Sequence, residues 1–295
     1  MPVVAEPVPE IEIEVWHRGV RAKSAGGAKR EGPARRALIL AVSVHKSESV
    51  KNLANTVIDA AKLQAALYKL GWDDVEIAVD LGLKQARKQM KEFAGRSAKG
   101  DDCLFAFVGH GVEVNGRNYL LAADSKFGPT YKSDATYEEA AKRECLAFED
   151  VQRAFADSRG SSGVAVSEGV TVYLLDCCRN GSSTSVGSGR SVDGSSTSRP
   201  AESSAIRPQF PNTVVIHSTT SGNVASDGVR GHGGPFMGIF CEEIAKGAEV
   251  AVVMKRTRRR VLESAPDLCQ LAADNSLLLD DFFFSAQREE QVSLR

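Results

Sequence analysis

Apolar runs alternate with amphipathic stretches through most of the chain. From Ala37 the run ALILAVSV is continuously apolar, the pattern of a strand covered on both faces. Leu53, Val57, Ala60, Ala61, Leu67 and Leu70 then recur at three-to-four spacing and predict a helix that Gly71 stops. The alternation continues with DVEIAVDL as a second strand, LKQARKQMKEFAGRSA as a polar amphipathic helix, and DCLFAFV as a third buried strand ending at Gly109, His110 and Gly111. Asn115 and Gly116 lie between two alternating runs and predict a tight hairpin. Residues 125–143 are polar and weakly patterned, and no element is assigned to them. AFEDVQRAFAD predicts a helix, VTVYLL a fourth buried strand running into Asp176, Cys177 and Cys178, and NTVVIHS a fifth. Helices follow near PFMGIFCEEIAKG and VAVVMKRTRRRVLES, before a last apolar stretch, NSLLLDDFFF. Such alternation predicts parallel βαβ units, because parallel strands need a crossover. The expected fold class is therefore α/β, with a mostly parallel sheet sandwiched between helices.

Outside this pattern, residues 1–36 are rich in Pro, Gly, Ala and both charge signs and are expected to form a flexible leader. Residues 37–285 form the folded domain, interrupted by a Ser/Gly-rich segment at 181–208 that is expected to be mobile, and 286–295 form a tail. The 295 residues carry 37 Lys and Arg against 38 Asp and Glu, a balance that argues against a general nucleic-acid binder. No apolar run approaches the roughly 18 to 20 residues that span a bilayer, and the start lacks a secretory layout. A soluble, cytoplasmic protein without membrane partners is expected. Six cysteines in a chain of this length are too sparse for a disulfide scaffold, so free thiols in a reducing compartment are expected.

Ligands of open parallel sheets bind beyond the carboxyl ends of the strands. Two loops there carry chemistry: one opens with His110 after the third strand, the other holds Cys177 and Cys178 after the fourth. An imidazole with a pKa near 6.5 is suited to take the proton of a thiol, which is only a few per cent ionised at neutral pH. The Gly111 N–H, beside that of the nucleophile, is a candidate donor to a tetrahedral oxyanion. A zinc site made of Cys177, Cys178, His110 and His232 is a weaker reading, since adjacent cysteines point in different directions and no Cys-x-x-Cys pair exists. Cys103, Cys145, Cys241 and Cys269 lie in apolar or helical contexts and read as structural thiols.

These residues resemble the caspase-like cysteine peptidases: caspases, metacaspases, paracaspases and bacterial relatives. The anchors are the Gly-His-Gly after a buried strand, the hairpin ending in Asn118 to Asp124, the strand end Leu175 to Asn180, and the terminal pattern Ser276 to Phe284. In the family motif Asp-x-Cys the third position is the nucleophile, which implies Cys178 rather than Cys177, with His110 as its partner and an oxyanion hole at Gly111 and Cys178. Caspases that cut after Asp present arginines to the substrate, whereas metacaspases and paracaspases cut after Arg or Lys and use acidic residues. The resemblance places such acids at Asp59, Asp176 and Asp227; the alternative for Asp59 is a solvated helix position or a local pair with Lys62. Arg179 after the nucleophile is more paracaspase-like or bacterial than metacaspase-like. The implied function is a cysteine endopeptidase acting on proteins or peptides with Arg or Lys before the scissile bond. No cofactor is required by the sequence, and calcium activation, a zymogen form, and a monomer or homodimer all fit the family. Arg190 and Arg199 in the 181–208 segment are expected sites of self-processing. The alternative is a catalytically silent caspase-like interaction module.

Overall fold

The computed structural model describes residues 20–23, 33–126, 134–160, 168–178, 208–220, 223, 225–264 and 270–285. At its centre is a seven-stranded sheet in the order β1-β3-β2-β4-β8-β9-β10: Val20–Lys23, Asp74–Val79, Arg35–Ala41, Asp102–Val108, Thr171–Asp176, Thr213–His217 and Ala273–Ser276. The five inner strands run parallel, and β1 and β10 add antiparallel edges. The mostly parallel sheet expected from the alternating pattern is thus present.

Within the continuously apolar strands the pleat decides which core each side chain joins, because successive residues face opposite sides. Ala37, Ile39 and Ala41 of β2 enter a core shared with α1 (Thr56–Lys69), α5 (Pro235–Ile244) and α6 (Val250–Ser264). Leu38 and Leu40 enter the opposite core, beneath α2 (Leu83–Arg96) and α4 (Phe148–Ser158). There Phe155 meets Phe105 and Tyr173 edge-on and Phe93 at a tilt. Gly71 ends α1 with φ 84°, the left-handed conformation that glycine adopts without penalty.

A smaller sheet of β5 (Gly111–Val114), β6 (Arg117–Leu121) and β7 (Cys145–Ala147) extends from the end of β4. Its first turn is the Asn115-Gly116 hairpin, both residues at positive φ. Two expectations are corrected here. The segment 125–143, read as polar and weakly patterned, contains most of α3 (Asp134–Glu144), whose Tyr137, Ala140 and Ala141 pack on Val112 and Leu121. Part of the supposed flexible leader, Val20–Lys23, is a sheet edge paired with β3. The terminal apolar stretch contributes only its start to a strand. Phe282 and Phe284 instead fill the first core, where the indole N–H of Trp72 donates to the Phe284 carbonyl (3.0 Å). Among the described residues, no helix is long and apolar enough to cross a membrane.

Candidate active site

The parallel ladder between β4 and β8 sets Val108 opposite Asp176, and the Gly109 N–H donates to the Asp176 carbonyl (3.2 Å). His110 and Cys178 each lie two residues beyond that rung, so they leave neighbouring strands at the same height. Both line one cleft of about 370 Å³, together with Gly109, Asp59, Asp176 and Asp227. Five of the six residues singled out in the sequence therefore face a common space, and the sixth, Gly111, packs behind it against Cys177 and the Cys178 carbonyl. A Cβ on Gly111 would come within 2.6 Å of the Cys177 sulfur and 2.9 Å of the Cys178 carbonyl, so only glycine lets the two loops approach this closely. Cys177 also packs into the core beneath α2 and α4, as a small buried hydrophobe does.

The His110 ring is held by a bond that periodicity could not reveal. Its Nε2 lies 2.7 Å from the main-chain carbonyl of Lys51, in the loop after β2. A carbonyl only accepts, so Nε2 carries the proton and the Nδ1 lone pair is left for chemistry. Burial lowers the pKa of His110, against the opposing effects of the Lys51 carbonyl and of Asp227. The imidazole of His45 packs 5.3 Å away, tilted by 45°. Cys178 is half-buried, and its Sγ donates to the carbonyl of Ala225 at 3.7 Å. Burial raises the thiol pKa, Ala225 offsets part of the shift, and Asp176 and Asp227 add to it. Burial thus favours the neutral forms of both the thiol and the imidazole, and the hydrogen bonds of the two side chains go to the Ala225 and Lys51 carbonyls rather than to each other.

Among the described residues none of the three carboxylates forms an ion pair, although the Lys62 charge acts on Asp59 and opposes the rise of its pKa. Asp59, buried in the first turn of α1, accepts the Gly234 N–H through both oxygens (3.0 and 2.8 Å). Burial, with Asp176 adding like-charge repulsion, pushes its pKa up to about 7. Asp176 rises to about 6 through burial, with the Ser218 side chain opposing and Asp227 adding to the shift. Asp227 Oδ2 accepts the Ala54 N–H (3.0 Å). Lys62 acts on Asp59 by charge without a direct ion pair, and its ammonium donates to the His232 carbonyl (2.5 Å). Arg179, Arg190, Arg199 and Cys269 lie outside the described residues, and Cys103, Cys145, Cys177, Cys178 and Cys241 are free thiols.

Comparison with known proteins follows the same lines. The family model for the caspase domain matches residues 34–283. Caspase-1 from Spodoptera frugiperda is similar in structure, with a TM-score of 0.61 and 17% identity over 89% of this chain and 97% of that one. The structure of pro-sf-caspase-1 is similar too, with a TM-score of 0.64 and 16% identity over 87% and 92% of the two chains. Among curated proteins none matches.

The favoured neutral forms predict how Cys178 reacts with iodoacetamide. The alkylation rate should rise with pH and inflect above the ordinary thiol range, since burial disfavours the thiolate. A rate that stays high and flat down to pH values of about 5 would instead reveal a thiolate–imidazolium pair and refute this picture.

Proposed function

Because the chain belongs to the caspase-domain peptidase family, we propose that it is a cysteine endopeptidase cutting after Arg or Lys, with Cys178 as nucleophile and His110 as general base. The observation that carries this reading is the meeting of Asp59, Asp176 and Asp227 with Cys178 and His110 in one cleft. A guanidinium or ammonium entering there meets carboxylates whose charge is otherwise unfavourable in so dry a place. An acidic side chain is repelled by the same groups.

The chemical steps use only this chain's residues. His110 Nδ1 takes the thiol proton as Cys178 Sγ attacks the peptide carbonyl carbon, and the Lys51 carbonyl steadies the resulting imidazolium through Nε2–H. The N–H groups of Gly111 and Cys178 receive the oxyanion. His110 then returns the proton to the leaving amine, and a water deprotonated by the same ring hydrolyses the thioester. No metal enters these steps, so calcium would act on activation rather than on chemistry. The silent-module alternative is not favoured by the family match, and a thiol and an imidazole line the same cleft. Six sparse cysteines in a chain of this length favour a reducing, cytoplasmic setting.

Fluorogenic peptides with Arg, Lys or Asp before the scissile bond, tested with and without calcium, address this reading directly. Turnover is expected after Arg and Lys and none in Cys178→Ala, while Asp176→Asn lowers kcat/KM for the Arg peptide roughly 10- to 100-fold through the loss of a charged hydrogen bond. Cleavage after Asp alone would overturn the pocket assignment.

The raised carboxylates also couple the pocket to pH. Between the unfolded value of 3.8 and about 7, native Asp59 keeps its proton while the unfolded chain ionises. Stability therefore falls as pH rises through that window, by about 1.4 kcal/mol per pH unit at most for one group. A guanidinium ligand reverses the effect by favouring the ionised acids. Argininamide should raise the melting temperature of Cys178→Ala more at pH 8 than at pH 5.5, and a larger gain at pH 5.5 would contradict the assignment.

A basic preference also makes Arg190 and Arg199 targets for the enzyme itself. Intact mass of the purified wild type should show fragments cut between residues 181 and 208 that are missing from Cys178→Ala, and identical masses would exclude self-processing.

A further inference from the structure

Asn55 stands at the N-cap position of α1, where an asparagine side chain ordinarily accepts an amide of the first helical turn. It makes no such bond. The side chain turns instead toward the segment between β9 and α5, 172 to 176 residues away in sequence. Nδ2 donates to the carbonyls of Asp227 (2.5 Å) and Val229 (3.0 Å), and Oδ1 accepts the Gly231 N–H (2.9 Å). Asn55 is fully buried while the segment it binds is largely exposed, so its side-chain end of all three bonds is shielded from water and losing a partner leaves a buried amide group unpaired.

The segment it grips has little rigidity of its own. Gly228, Gly231 and Gly233 have φ values of 74°, 86° and 82°, conformations that glycine permits but does not enforce. Both ends of this segment belong to the cleft: Ala225 faces the Cys178 sulfur, Asp227 is one of the three acids, and Gly234 binds Asp59. The shape of that wall is therefore set by its attachment to α1, and Asn55 supplies three of the bonds. Only a primary amide fits the task. A carboxylate of the same size lacks the two donors and sets a negative charge against two carbonyls, and a hydroxyl is too short to span three partners.

We propose that Asn55 is a specificity-determining positioning residue: it fixes the backbone at Asp227, Val229 and Gly231, holds Asp227 in the cleft with Asp176, and thereby sets how tightly a basic side chain is gripped. It does so without touching substrate. The proposal rests on the reading of the cleft as an Arg/Lys pocket.

The test compares full-length wild type, Asn55→Ala and Asn55→Asp on two peptides that differ only in Arg or citrulline before the scissile bond. Citrulline keeps the shape of arginine and lacks its charge. In both variants KM for the Arg peptide should rise about tenfold or more while kcat stays within about threefold, and the Arg-to-citrulline preference should fall with it. Hydrogen exchange should quicken across residues 228–234 while α1 stays protected, a change that needs no turnover to observe. Asn55→Asp, nearly equal in volume, carries the experiment if the alanine variant does not fold. An unchanged preference, an equal loss on both peptides, or a loss confined to kcat overturns the role of Asn55. A wild type with no preference for Arg removes the pocket reading and the proposal together, whereas a preference that survives in the variants removes the proposal alone.

Discussion

The pairing of β4 with β8 is the constraint on which the site depends. Parallel strands share a direction, so their carboxyl ends emerge on one side of the sheet, and a register of Val108 opposite Asp176 brings the next residues of both strands out level. His110 and Cys178 then need no long or precise loop to share a cleft. The narrowest point of that arrangement is Gly111, where any side chain would strike Cys177 and the Cys178 carbonyl. A slip of one residue in this ladder would turn the two loops to opposite faces, because the strand period is two.

Burial does the second part of the work. It lowers the pKa of His110 and raises those of Cys178, Asp59 and Asp176. In each case the charged form is disfavoured. Asp227 acts on His110, Cys178, Asp59 and Asp176 at once. Its position is in turn a property of the glycine-rich segment fastened to α1, with Ala54, Asn55, Asp59 and Lys62 as the attachment points.

Much of this was legible in advance, for definable reasons. Buried strands and amphipathic helices announce themselves by period, and the Asn115-Gly116 turn by its residues. Where the signal was weak, the structure departed from expectation. The spacing of Tyr137, Ala140 and Ala141 is helical, but three small or polar-tipped positions in a charged background make a faint stripe, and α3 went unassigned. Strand β1 is a string of alternating charge and small apolar residues that exists as a strand because β3 offers it an edge. The carbonyls of Lys51 and Ala225 could not have been found from side-chain identity at all, since every residue carries one.

Taken alone, the sequence determined the α/β class, the order of its elements, and the two loops that carry a thiol and an imidazole, because each of these is written in local period or in residue chemistry; the acids were singled out only through the resemblance to the caspase-like peptidases. Only the tertiary structure decided that Asp59 is buried against Gly234 rather than paired with Lys62, that His110 presents Nδ1, and that Asn55 binds a distant loop instead of capping its own helix. The physical reason is common to all three. Each outcome depends on a hydrogen-bond partner brought near by strand register and helix packing, from 59 to 176 residues away along the chain, and no local pattern encodes a partner at that distance.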